Sequence, residues 1–290
     1  MIEDITFLYC FIDDFCKERG KEIQRYLIEN GTKIRKPTRV PGLTLSEIIT
    51  IIVFFYQSKC RTFKHFYQYL EEHHKRDFPK MPSYERFIIL KKRIVPILSD
   101  LFHCILSKDT TYAYIDSTAL RVCHNKRTGS HMVFKWLARV GKSTMGWFFG
   151  FKLHLVIDLN GNIVSACISG GNCDDRSPVE KLLQGFRGVV FGDKGYISQN
   201  LFTRLWKKGI KLVTGLKMNM KNMLLNYKEN LLLRKRSLIE SVFSCLKRNL
   251  LEHSRHRSPV SFCVHLFATL IAYQLSPHKP SISKTLPLDS

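Results

Sequence analysis

The sequence predicts an α/β chain, with a mainly helical N-terminal module followed by a mixed sheet flanked by helices. Three observations predict it. Apolar residues recur at helical spacing up to about residue 108. From Tyr112 onward they fall instead into short runs of strand length, separated by turn signals. From Pro178 those runs alternate with helical stretches, giving the order three strands, helix, strand, helix, strand, helix. The expected domains are 1–108, 109–275 and a polar, Pro-rich tail over 276–290 that reads as disordered.

Residues 1–30 carry Phe7, Leu8, Phe11 and Phe15 on one stripe, and Lys33 to Pro41 reads as a basic linker. Thr44-Leu-Ser-Glu47 has the form of a capping box opening an apolar helix through Phe55. Helical rhythm continues over Phe63–Glu72 and Tyr84–Leu98, with Pro79 and Pro82 as breaks. Tyr112 to Asp116 reads as a strand ending in a carboxylate. Trp147–Ile157 and Ile163–Ile168 read as two strands joined through the Asn-Gly signal of Asp158–Asn162. A helix over Pro178–Phe186, a strand Val189–Phe191 ending in Gly192-Asp193, a helix from Ser198 to Lys208 and a strand Lys211–Leu216 follow. A long helix over Leu231–Leu251 and a last one over Pro259–Leu275 complete the chain.

Of 290 residues, 44% are hydrophobic, enough for a sizeable core, and the net charge is +22. Such an excess favours a polyanionic partner, usually nucleic acid. A ribosome-associated or lipid-surface protein has the same composition. Residues 1–100 carry a net +5 and the rest +17, and residues 121–142 contain six cations and no acid. The basic surface is therefore expected in the second part of the chain, over a loop from Arg121 to Lys142. Nine scattered cysteines without a CxxC pair point away from a disulfide framework and towards a reducing compartment. Glu3 and Asp4 stand where a secretory signal would be basic, and the apolar run Ile48–Tyr56 is too short to span a bilayer. A cytoplasmic protein with no membrane association is expected.

Three acids stand out. Asp116 and Asp193 follow apolar strands, and Glu240 is the one acid in the basic helix RKRSLIESVFSCLKR. Gathered, they would make a hard-oxygen pocket suited to Mg²⁺. Two such ions about 4 Å apart can activate an attacking oxygen and stabilise the leaving oxygen of a phosphodiester. On a helical wheel Arg236, Glu240 and Lys247 share a polar stripe within about 40°, with Leu238, Val242 and Cys245 on an apolar one. Each acid also has a plainer reading: Glu240 as an i,i+4 partner of Arg236, Asp116 and Asp193 as turn residues, and Asp175 as a helix cap. His253 and His256 with Cys245 or Cys263 lack zinc-finger spacing. His154 reads as a core residue. Cys123-His124 lacks an orienting third group for a nucleophile, and Gly141-Lys-Ser143 lacks the upstream glycine of a nucleotide loop.

Taken in order, YIDST, RVCHNKR, KSTMGWFFGFKLHLVID, GNCDDR, FGDKGYI, LVTGLKMNMKN, LLRKRSLIESVFSCLK and EHSRHRS resemble the DDE transposases of bacterial insertion sequences, of the family numbered 982. The resemblance spans about Tyr112 to Tyr273. It implies an RNase H-like fold and a DDE triad of Asp116, Asp193 and Glu240 holding two Mg²⁺ ions, with Mn²⁺ as a substitute. It also implies cleavage at element ends with strand transfer, and a homodimer on terminal inverted repeats and target DNA in the nucleoid. Related transposases carry Tyr-x2-Arg-x3-Glu-x6-Lys around the glutamate. Arg236, Glu240 and Lys247 match, and Leu233 stands where Tyr would be. Lys126, Arg127, Lys135, Arg139, Lys142, Lys194, Arg236 and Lys247 are the expected DNA contacts. The alternatives are a nuclease of the same fold and a catalytically inactive copy that acts only by binding DNA.

Overall fold

The computed structural model describes residues 5–29, 42–58, 60–215, 225–248 and 256–282. The linker expected over Lys33–Pro41, residues 216–222 of LVTGLKMNMKN, His253 and residues 283–290 of the tail lie outside them. The chain divides into two compact units.

The helical unit contains α1 (Ile5–Glu29), α2 (Leu45–Gln57), α3 (Phe63–His73), α4 (Tyr84–Leu90) and α5 (Val95–Cys104). The capping box that opens α2 is present: Glu47 N–H donates to Thr44 Oγ1 at 3.2 Å, and Thr44 N–H donates to Glu47 Oε2 at 2.6 Å. This helix is apolar nearly all round, so it runs through the middle of the unit, with Ile49, Ile51, Ile52 and Val53 buried. Phe54 and Phe66 meet edge-on, and Phe63 stacks on Phe87.

The second unit is built on one mixed sheet of β1 (Tyr112–Arg121), β2 (Arg139–Ser143), β3 (Gly146–Asp158), β4 (Ile163–Gly170), β5 (Gly188–Gly192) and β6 (Ile210–Thr214). The path runs β2-β3-β1-β5-β6, with β4 also on β3. Pairs β1–β3, β2–β3 and β3–β4 are antiparallel, whereas β1–β5 and β5–β6 are parallel. Leaving β2 aside, the order β4-β3-β1-β5-β6 with two parallel strands after the central one is an RNase H-like sheet.

Strand alternation decides what each face carries. Ala113 and Ile115 point to one face, where they pack with Val179, Leu182, Leu201 and Leu205 from α6 (Val179–Leu182) and α7 (Gln199–Lys207). Tyr114 and Asp116 point to the other, where α8 (Tyr227–Arg234) and α9 (Ser237–Leu246) lie. There the buried Tyr114 hydroxyl donates to Leu232 O at 2.8 Å.

The structure departs from the sequence reading in five places. First, β1 does not end at Asp116 but continues to Arg121, because the thirteen-residue β3 pairs with it as far as Gly150. Second, the stretch expected as a basic loop from Arg121 to Lys142 ends in a strand, β2, which forms a hairpin with β3 through a two-residue turn at Thr144 and Met145. Gly146 takes φ +100° as that turn closes, a conformation open to glycine. Third, the single helix expected over Leu231–Leu251 is two helices that meet at Lys235 and Arg236. The first opens on its own capping box, with Glu229 N–H donating to Asn226 Oδ1 at 2.7 Å.

Fourth, the last helix, α10 (Pro259–Gln274), does not join the sheet as the 109–275 boundary expected. Val260–Leu275 belongs to the helical unit together with the chain up to Cys104. The helix buries Val264, Leu266, Leu270 and Ile271 around its circumference, and Tyr56 Oη contacts His265 Nδ1 at 2.6 Å. A helix apolar on every side needs a helical surround, and that cannot be read from element order. Fifth, the tail is not wholly loose: Ile282 is buried and its N–H donates to Leu159 O at 3.1 Å. Among the described residues no helix is long and apolar enough to cross a membrane. All nine cysteines are free thiols.

Candidate active site

The sheet sets the first two acids level with one another. In the parallel pair β1–β5 the last rung is Tyr114 with Phe191. Two residues further along each strand stand Asp116 and Asp193, on the face that Tyr114 and Phe191 share. Pairing has stopped there, so both carboxylates sit where the strands part. Glycine fits at 192 because a Cβ would come within 3.2 Å of the Tyr196 ring and 3.3 Å of Ile115.

The third acid arrives on α9, whose buried Leu238, Ile239, Val242 and Phe243 hold it against the protein interior. Glu240 lies on the opposite, exposed side. Arg236, at the junction of α8 and α9, ties the three together. Its Nη1 lies 3.5 Å from Asp116 Oδ2, and its Nη2 lies 3.7 Å from Asp193 Oδ1 and 3.5 Å from Glu240 Oε1. These are long ion pairs, and they place one guanidinium among all three carboxylates. The i,i+4 pairing of Arg236 with Glu240 is therefore present as part of a larger cluster. Asp116, Thr118, Glu240, Phe243, Lys247 and Arg248 border an open cleft of about 580 Å³.

The acids differ in environment. Asp116 is largely covered, while the side chains of Asp193 and Glu240 are 54% and 61% exposed. Burial pushes the Asp116 carboxyl up to about 6. The Ser117 N–H, donating to its Oδ1 at 2.8 Å, and Arg236 pull it down, whereas the charges of Asp193 and Asp175 push it up.

Among the described residues no three His, Cys, Asp or Glu side chains stand close enough to grip one metal ion. The donor chemistry nevertheless suits a hard divalent cation. The cleft offers carboxylate oxygens, two of the three acids are open to water, and their charge is offset by an arginine rather than by mutual hydrogen bonds. What stands at the junction now is an arginine-bridged trio of acids.

Behind Asp116, on the other face of β1, is a second polar cluster. Ser117 Oγ and Lys152 Nζ donate to Asp175 Oδ1 at 2.8 and 3.1 Å. Asp175 caps no helix, since α6 begins at Val179 after Pro178. The wholly buried His154 contacts Ser169 Oγ through Nε2 at 2.8 Å, its Nδ1 has no hydrogen-bond partner, and burial lowers its pKa to about 4. Asp174 pairs with Arg176, which holds its carboxyl down at about 2.

The sequence reading missed Tyr196. Its ring is buried, its hydroxyl has no hydrogen-bond partner, and its pKa is raised by burial and by Asp116, Asp175 and Asp193. The signal available was its position three residues after Asp193, one turn of the short helix Lys194–Tyr196.

The basic residues fall into two groups. Lys247 lines the cleft, Arg236 bridges the three acids, and Lys194 follows Asp193, with its Cε 3.2 Å from where a Cβ on Gly215 would lie. Lys126, Arg127, Lys135, Arg139 and Lys142 lie between β1 and β3. None of these five is paired with an acid among the described residues. Arg139 donates instead to the carbonyls of Trp136 and Ala138 at 3.1 and 3.0 Å.

Fold and cleft together define an RNase H-like domain with three carboxylates around one arginine. Residues 106–259, more than half of the chain, match the family model of the transposase DDE domain, and the chain belongs to that family. Among the solved structures that resemble it are two transposase complexes. One is a piggyBac transposase synaptic complex with hairpin DNA, at 11% identity and TM-score 0.42, covering 89% of this chain and 71% of that one. The other is a pre-cleavage Mos1 transpososome, at 10% identity and TM-score 0.28, covering 94% and 96%. Likenesses of this degree carry no site or mechanism across. No curated protein matches the chain.

Proposed function

We propose that this transposase-family chain cuts DNA at the ends of an insertion sequence of the family numbered 982 and joins the freed ends to target DNA. The observation that carries the reading is the convergence of Asp116, Asp193 and Glu240 on Arg236. Those three acids would hold the two divalent ions that DDE transposase domains generally use, Mg²⁺ or Mn²⁺. When bound, the ions would supply Lewis-acid activation of the attacking oxygen and charge relief at the leaving one.

The chain's own residues do the rest. The exposed carboxylates of Asp193 and Glu240 repel the phosphodiester until cations offset them. Arg236, Lys247 and Arg248 provide that offset and orient the strand, so positioning and charge stabilisation supply most of the catalysis. Water attacks the terminal phosphodiester and the P–O bond to the leaving 3′-oxygen breaks, freeing a 3′-hydroxyl. That hydroxyl then attacks a target phosphodiester, the target's own P–O bond to its 3′-oxygen breaks and that oxygen leaves as a 3′-hydroxyl, with no covalent enzyme intermediate. The helical unit would recognise the terminal repeats or bring two copies together as a homodimer in the nucleoid.

Glu240→Gln tests the reading. It should abolish Mg²⁺-dependent nicking of an element end and leave DNA affinity intact; retained nicking removes Glu240 from the site. A second reading, a DNA-binding copy without catalysis, is favoured by one observation. Leu233, where relatives carry Tyr, is a half-buried apolar residue of α8 with no hydroxyl to offer a phosphate. Wild-type protein that binds element ends but never nicks them would establish that second reading.

A further inference from the structure

From Ser117 to Ile157 the chain has seven cations and no Asp or Glu. The same stretch exposes six large apolar side chains: Met132, Trp136, Leu137, Val140, Met145 and Trp147. The chain has three tryptophans, and all three are outside the core: Trp136 is 80% exposed, Trp147 60% and Trp206 68%. Indole is costly to leave in water, so exposed rings gathered on one basic segment call for a partner.

The fold presents them deliberately. β2 pairs with Gly146–Gly150 of β3, whereas the pairing of β1 with β3 starts only at Gly150. The hairpin that carries Trp147 therefore runs on past the end of the β1–β3 ladder as a two-stranded ribbon. Phe148 turns inward and is buried, which leaves Trp147 facing out opposite Lys142. Each ring has a lysine beside it: Lys142 Nζ lies 5.8 Å from the Trp147 ring and Lys135 Nζ 5.4 Å from the Trp136 ring.

A phosphate-seeking cation next to an open indole is the pairing that holds an unpaired nucleotide, phosphate on the lysine and base on the ring. In an intact duplex the base faces are already stacked and no ring can reach them. A second copy of this chain would bring another field of cations to the same surface, and the absence of any acid between residues 117 and 157 opposes that. We propose that Trp136 and Trp147 form a stacking platform for unpaired bases of DNA, so that this face grips strand ends opened out of the duplex. The inference rests on the DNA-cutting function proposed above and adds the state of the DNA.

The test measures binding of the full chain, in EDTA, to a fluorescent single strand and to a blunt duplex of the same sequence. Trp136→Ala and Trp147→Ala should each weaken single-strand binding about 5- to 150-fold, the cost of one stacked base, and leave duplex binding nearly unchanged. Trp206→Ala, on α7, should match wild type on both. Single-strand DNA should quench the fluorescence of Trp136 and Trp147 in the Trp206→Ala background. Variants that bind the single strand as wild type does, or lose both DNAs equally, overturn the platform and leave the cutting function standing. Wild type that binds neither DNA overturns both. Loss of self-association in the double variant, with DNA affinity unchanged, assigns the face to a second copy and overturns the proposal.

Discussion

Arg236 and Asp116 approach to 3.5 Å although 120 positions separate them in sequence. Because burial raises the folded-state pKa of Asp116 above its ordinary 3.8 to about 6, its contribution to stability is complete at low pH and is lost as pH rises through about 6. Arg236 is one of the influences holding that pKa down. Arg236→Met should therefore move it higher and make the metal-free protein less stable on the order of 1 kcal/mol at pH 8, with a smaller difference at pH 4. Urea unfolding in EDTA at both values checks this, and an equal penalty at both would sink it.

His154 gives the opposite slope. Its folded-state pKa lies near 4, below the ordinary 6.5, so the stability it contributes is present above pH 6.5 and is lost as pH falls towards 4. Over that window the protein should lose about 3 kcal/mol from this group. His154→Gln, which keeps a polar end for Ser169, should flatten the slope in a series of melts.

Tyr196→Phe removes a buried hydroxyl that has no partner. The variant should be at least as stable as wild type, by up to about 2 kcal/mol, since an unsatisfied buried group is a cost. A clear loss of stability in denaturant unfolding would show that the hydroxyl is satisfied in solution.

Tyr114→Phe should behave differently, because it breaks the bond to Leu232 O and leaves that carbonyl with the Lys235 N–H alone. A loss of about 1 to 2 kcal/mol is expected. The pair of tyrosine variants, measured side by side, separates a bonded hydroxyl from an unbonded one.

Lys247 lies at the cleft beside Glu240. If it meets a phosphate, Lys247→Ala should shrink the slope of log affinity against log salt by about 0.9 for every DNA sequence alike. A slope unchanged from wild type would place Lys247 off the DNA.

Much of this was legible locally. The strands found at Gly188–Gly192 and Ile210–Thr214, expected over Val189–Phe191 and Lys211–Leu216, and the capping box at Thr44 are set by neighbours a few residues away, and the sequence shows them. The DDE candidates could be named from motif order, but their convergence depends on the β1–β5 register and on the break between α8 and α9. Neither leaves a mark within any short window. The break falls inside a run of good helix formers, so intrinsic preference argued for one continuous helix and tertiary packing overrode it. The β2 hairpin was hidden for a related reason: Arg139 to Ser143 has no apolar alternation, and β3 supplies the ladder that makes it a strand. Tyr196 went unnoticed because an unpartnered hydroxyl is a property of surroundings, not of spacing.

The return of α10 to the early helices has an effect on synthesis. A ribosome making this chain delivers every strand of the sheet before residues 259–274, so the DDE domain can close while the helical unit still lacks a wall of its core. A frameshift or stop shortly before Pro259 would spare all three acids and yet remove His265 from Tyr56 and Phe267 from Phe102, turning a late lesion in the gene into damage to the earliest-made part of the protein.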